Sequence, residues 1–148
     1  MEEYGLRCLM AVGRAQRSIT IPEISRLEGL TEAYVAKLLM VLRRGDFIRS
    51  TRGQAGGYQL ERSASEINVG DVIAFLGGKL FEDDFCEKHS GSHDTCAHGP
   101  ACSLRPLWTS IQEAVDSVLS KISLQDLITS PDFVKLSDAA MRDKTVKA

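Results

Sequence analysis

TIPEISRLEGLTEAYVAKLLMVLRRG, from Thr20 to Gly45, decides the fold. Thr20 offers an oxygen that caps a helix, Pro22 suits the first turn, and Glu23 closes a capping box. That helix runs through Ile24 and Leu27 and stops at Glu28-Gly29. Thr31 opens a second helix whose apolar positions, Tyr34, Val35, Leu38, Leu39 and Leu42, recur at helical spacing. Arg43 and Arg44 suit the negative end of its dipole, and Gly45 ends it. Two such helices joined by a tight glycine-containing turn form a helix-turn-helix.

Outward from this pair, Glu3 to about Gly13 reads as a preceding helix, with Tyr4, Cys8, Leu9 and Val12 on one side. Arg14 to Ser18 reads as a polar break. After the pair come two strand-like runs, Phe47–Arg52 and Tyr58–Leu60, around the glycine-rich turn Gly53–Gly57. This is a hairpin, and a hairpin directly after a recognition helix is a wing. Asn68 caps a helix over Val69–Leu76 that ends at Gly77-Gly78. The expected fold is mainly α with a small β wing, a winged helix-turn-helix followed by a long dimerisation helix. The expected boundaries are a DNA-binding unit over 1–78, a cysteine loop over 79–102, a dimerisation helix and short C-terminal helix over 103–128, and a flexible tail over 129–148.

In such a reader the second helix enters the major groove and the wing reaches backbone or minor groove. Thr31, Tyr34 and Lys37 are the leading polar candidates, with Arg52 at the wing. Charge agrees in direction: residues 1–62 carry 10 Lys and Arg against 7 Asp and Glu, whereas residues 63–148 carry 8 against 13. A basic front half and an acidic rear half suit a nucleic-acid reader joined to a regulatory part.

That rear half contains CEKHSGSHDTCAHGPAC, residues 86–102. The stretch from Lys79 to Ala101 shows neither helical nor strand periodicity, and so long a loop needs a function or a ligand to order it. No apolar run approaches the roughly 18–20 residues that span a membrane. The expected location is therefore cytoplasmic, where clustered thiols are ligands or redox groups rather than structural disulfides. Cys86, Cys96 and Cys102 are separated by nine and five residues, so no pair forms the tight knuckle usual for zinc. Widely spaced thiolates suit an iron–sulfur cluster, which needs a fourth ligand: His89, His93, His98 or a carboxylate from elsewhere. Cys8 reads as a small core residue. A thiol enzyme is not expected, because no base and orienting group accompany the cysteines.

After Cys102, Leu104, Leu107, Trp108, Ile111, Val115, Val118, Leu119 and Ile122 form one apolar stripe, more than a single small domain needs. This points to a homodimer with two recognition helices about 34 Å apart on a pseudo-palindromic operator of double-stranded DNA. Ser123 caps a last helix over Leu124–Ile128.

The ordered succession Glu3-Tyr-Gly-Leu-Arg7, Ile21-Pro-Glu-Ile24, Thr31-Glu-Ala-Tyr34, Leu42-Arg-Arg-Gly45, Ile48-Arg-Ser-Thr-Arg-Gly53, Gly56-Gly-Tyr-Gln-Leu60 and Ile67-Asn-Val-Gly-Asp-Val72 resembles the Rrf-two family of bacterial transcription regulators. That family includes the iron–sulfur sensors IscR, NsrR and RirA. The three cysteines and Leu107-Trp108 follow in the same order. The resemblance implies a winged-helix homodimer, DNA contacts at Thr31, Ala33, Tyr34, Lys37 and Arg52, and a cluster, 2Fe–2S or 4Fe–4S, on Cys86, Cys96 and Cys102. It also implies Glu3 as the remaining ligand, from the other subunit. The alternative is a cluster-free regulator with a cysteine disulfide switch or a zinc ion.

Overall fold

A computed structural model describes residues 1–53, 56–82, 84–96, 98–99 and 102–129. The wing tip Gln54-Ala55 and the tail beyond Thr129 lie outside the described residues. The elements are α1 (Glu2–Ala15), α2 (Ile21–Glu28), α3 (Glu32–Arg44), β1 (Ile48–Thr51), β2 (Gly57–Leu60), a 3-10 turn (Ala64–Glu66), α4 (Val69–Gly77), α5 (Phe85–Lys88), α6 (Leu104–Leu119) and α7 (Leu124–Thr129).

Local chemistry sets the borders of α2 and α3. Thr20 and Glu23 bond reciprocally: the Glu23 amide donates to Thr20 Oγ1 at 3.4 Å, and the Thr20 amide donates to Glu23 Oε2 at 2.8 Å. Arg17 holds the other Glu23 oxygen at 2.7 Å. That guanidinium, then the Thr20 amide and hydroxyl, hold the Glu23 carboxyl down at about 2. Gly29 ends α2 with φ 66, a left-handed conformation that favours glycine. The Thr31 hydroxyl accepts from the Tyr34 amide at the start of α3. The expected break at Arg14 comes two residues later, because Arg14 sits in the last turn of α1, where a cation suits the dipole, and Gln16 takes the left-handed cap.

The wing is a two-stranded antiparallel sheet registered from Ile48↔Leu60 to Thr51↔Gly57. Ile19 adds a bridge, exchanging backbone hydrogen bonds of 3.0 and 2.8 Å with Tyr58. A Cβ on Gly57 would lie 2.6 Å from the Ile19 carbonyl oxygen, so this close approach requires glycine. The other end of the hairpin is fixed by Phe47 and Phe75, whose rings meet edge to face at 5.6 Å. Both rings cover Gly45, where a Cβ would lie 2.6 Å from one and 2.8 Å from the other.

The core gathers Leu9 of α1, Ile24 of α2, Leu38, Leu39 and Leu42 of α3, Ile48 of β1, Ile67, Val72 of α4 and Leu124 of α7. Each is essentially sealed from solvent. Burying each such side chain contributes about 1.5–3 kcal/mol, and only their sum offsets the chain entropy. Cys8 sits among them as expected, and burial pushes its thiol up to about 11. The N-terminal motif has a structural use. Tyr4 meets Tyr34 edge-on at 5.8 Å, Gly5 lies under Leu76, and Arg7 bonds the Glu28 carboxylate and carbonyl at 2.9 and 2.7 Å.

Asn68 joins the reader to the long helix. Its Oδ1 accepts from the Asp71 amide, capping α4, while its Nδ2 donates to the carbonyls of Leu119, Ser120 and Ile122 at the end of α6. Backbone bonds Val69 N–H to Ile122 O and Leu124 N–H to Ile67 O seal the junction. Ser123 caps α7 through Asp126. Thr129, expected in the tail, still belongs to α7, where its hydroxyl donates to the Gln125 carbonyl. No described helix is long and apolar enough to cross a membrane.

Candidate nucleic-acid interface and cysteine recess

The leading end of α3 stands at the surface. Thr31, Ala33 and Lys37 are exposed, and Tyr34 is half-buried with its ring against Tyr4. Thr31 spends its hydroxyl oxygen on the Tyr34 amide, so towards a ligand it offers its O–H proton and its methyl group. Arg52 is exposed just beyond β1. Arg49 on the same strand reaches across to Gln59. Lys37 of α3, Arg49 of β1 and Arg52 just beyond it are exposed cations, of the kind that suits a phosphate backbone.

The cysteine loop is not wholly irregular. Phe85–Lys88 forms one turn of helix, a correction to the expectation of no regular structure between Lys79 and Ala101. Four residues are too few to show a period, and tertiary contacts hold them. Phe85 packs on Phe81 at 5.1 Å and on Trp108 of α6 at 5.7 Å. Lys88 reaches Glu82 at 2.8 Å and Asp84 at 3.0 Å. Gln112, the buried residue of α6, accepts from the Phe81 amide and donates to Asp116.

This scaffold brings Cys86, Cys96 and Cys102 to one recess of about 240 Å³, also lined by Phe85, His89 and Trp108 among others. All three thiols are free and half-buried. Arg105, the second residue of α6, donates to Cys86 Sγ at 3.2 Å. Among the described residues no three His, Cys, Asp or Glu side chains converge as a single metal ion would require. The donors share a chamber rather than a point. Soft sulfurs and imidazoles in such a chamber fit an iron–sulfur cluster.

His89 and His98 line the recess and His93 does not, although all three are exposed. Glu3, exposed on α1, does not line it in its own chain either. The expected stripe on α6 is uncovered at its start, where Leu104 and Leu107 are each 52% exposed; Trp108, Ile111, Val115, Val118 and Leu119 are half-buried and Ile122 is buried. Sequence reasoning missed Arg105, Gln112 and the Phe81–Phe85–Trp108 group. The one available signal was Trp108 recurring one helical turn after Leu104 and Arg105.

Residues 2–130 match the family described as Rrf2, iron-dependent transcriptional regulator. The chain belongs to the Rrf2 family. The HTH-type transcriptional regulator IscR of Yersinia enterocolitica is 30% identical over 142 residues, covering 95% of this chain and 84% of the relative. Among solved structures, CymR, the global cysteine regulator of B. subtilis, superposes with a TM-score of 0.68 at 28% identity, covering 88% of this chain and 95% of that one. IscR of T. potens gives 0.66 at 26% identity, covering 86% and 82%. This Rrf2 protein is thus a winged-helix transcription regulator, and its relatives are named as regulators, not enzymes.

Proposed function

We propose that this Rrf2 regulator binds a pseudo-palindromic operator as a homodimer, and that an iron–sulfur cluster on Cys86, Cys96 and Cys102 gates its DNA affinity. The observation that carries the reading is the shared recess of three free thiols at the foot of α6. The exposed Leu104 and Leu107 and the half-buried residues that continue their stripe along α6 support a second copy of the chain. Thr31, Ala33, Tyr34 and Lys37 read the major groove, and Arg52 meets phosphate or a narrow minor groove. When bound, the cluster supplies a redox-sensitive and displaceable load on the loop between α4 and α6. The Asn68 junction carries a loop shift to the reader, and a coupling of roughly 1–3 kcal/mol changes affinity about 5–150-fold.

The test is anaerobic purification with iron and sulfide quantitation, an absorption spectrum, and operator binding in oxidised, reduced and apo forms. A brown protein with state-dependent affinity is expected, and Cys96→Ala abolishes that dependence. A colourless protein, or equal operator affinity in all three forms, refutes the gating. A second reading is a disulfide switch without a cluster. It is favoured by the free thiols and by the likeness to CymR, one structure of which, from Staphylococcus aureus, is of the oxidized form (31% identity, TM-score 0.66, covering 88% of this chain and 94% of that one). A colourless protein whose affinity follows thiol oxidation supports that reading.

A further inference from the structure

We infer that His89, through Nε2, is the fourth protein ligand of the cysteine recess. This rests on the cluster reading above and deepens it. His89 lies at the end of α5, three residues after Cys86, so the two side chains fall on neighbouring positions of one helical turn. Its Nδ1 is 2.7 Å from the Phe85 carbonyl oxygen. A carbonyl only accepts, so Nδ1 carries a proton, which leaves Nε2 as the one ring nitrogen that can offer a lone pair to a metal. Ligating histidines characteristically fix their tautomer in this way, with the other ring nitrogen donating to a carbonyl or carboxylate.

The ring is also held in place. It stacks on Phe85 at 4.2 Å and 24°, and Phe85 is wedged against Phe81 and Trp108. His89 is itself exposed, so burial does not account for this clamp. The competitors lack one or both properties. His98 lines the recess but has no tautomer-setting hydrogen bond among the described residues, His93 stays outside, and Glu3 must come from another copy of the chain. The nine-residue gap after Cys86 contains His89, so one short helix supplies a sulfur and a nitrogen together.

The experiment is pulsed electron paramagnetic resonance on the dithionite-reduced full-length protein, with and without ¹⁵N-histidine, beside iron and sulfide analysis. Wild-type protein is expected to show a strongly coupled nitrogen that changes with the label. His89→Ala loses that coupling and gives up iron to a chelator about tenfold faster or more. His89→Cys keeps the cluster and loses the nitrogen. His98→Gln and Glu3→Gln keep the nitrogen. A wild-type cluster without histidine nitrogen, or a coupling that survives His89→Ala, overturns the assignment and leaves the ring as a cap on α5. Absence of iron and sulfide from wild-type protein instead overturns the cluster reading itself.

Discussion

Replacing Asn68 tests how the long helix is tied to the reader. One side chain serves two helix ends: its Oδ1 caps α4 at 3.3 Å, and its Nδ2 reaches three carbonyls between 3.0 and 3.3 Å. The cap is worth about 1 kcal/mol. An amide has two N–H groups, so three carbonyls share at most two donors. The site is partly exposed, which holds this share to about 1 kcal/mol. Asn68→Ala should therefore lose about 2 kcal/mol, and Asn68→Ser, which keeps a capping oxygen but not the donors, about 1 kcal/mol. The assay is urea unfolding of the reduced apo-protein at one fixed concentration, followed by fluorescence of Trp108, the single tryptophan. Equal losses for the two variants, or a loss below about 0.5 kcal/mol for Asn68→Ala, would refute the double role.

Further outcomes follow from the same geometry. Leu38→Ala removes a fully buried side chain of α3 and should cost about 2–5 kcal/mol by urea unfolding. Glu23 is held below its ordinary value of 4.5, at about 2, so its stabilisation is full above about pH 4.5 and is lost as pH falls through about 2. The difference in unfolding midpoint between wild type and Glu23→Gln should accordingly shrink across that window. In the proposed dimer, where each Arg52 meets phosphate, Arg52→Ala should flatten the salt dependence of operator binding by about 1.8 log units per log unit, measured by titration at several salt concentrations.

The reader was legible because its signals are local. Thr20 and Glu23, Gly29, Thr31, Gly45 and the capping oxygen of Asn68 each set a helix end within a few residues of themselves, and each bounds its element where expected. The regulatory half was legible only in its donor types. Arg105 and Cys86 are 19 residues apart, Gln112 and Phe81 are 31 apart, and Asn68 and Ser120 are 52 apart. Such polar contacts leave no periodicity in a chain. The α5 turn depends on Phe85 meeting Trp108 across the loop, which no window of local sequence contains. His89 stood level with His93 and His98 in the sequence. Only its ring partner and its carbonyl separate it from them.

Gly45, roofed by Phe47 and Phe75, has a consequence for how regulation reaches DNA. The end of the recognition helix, the root of the wing and α4 share that one lock, with no room for a side chain between them. Helix and wing therefore form a single stylus, and α4 is its grip. Under the proposed gating, a push from the cysteine loop would turn the stylus without reshaping its point. Such regulation would alter the distance and angle between the two reading heads of the proposed dimer, so it should discriminate operators by half-site spacing while leaving the preferred bases unchanged.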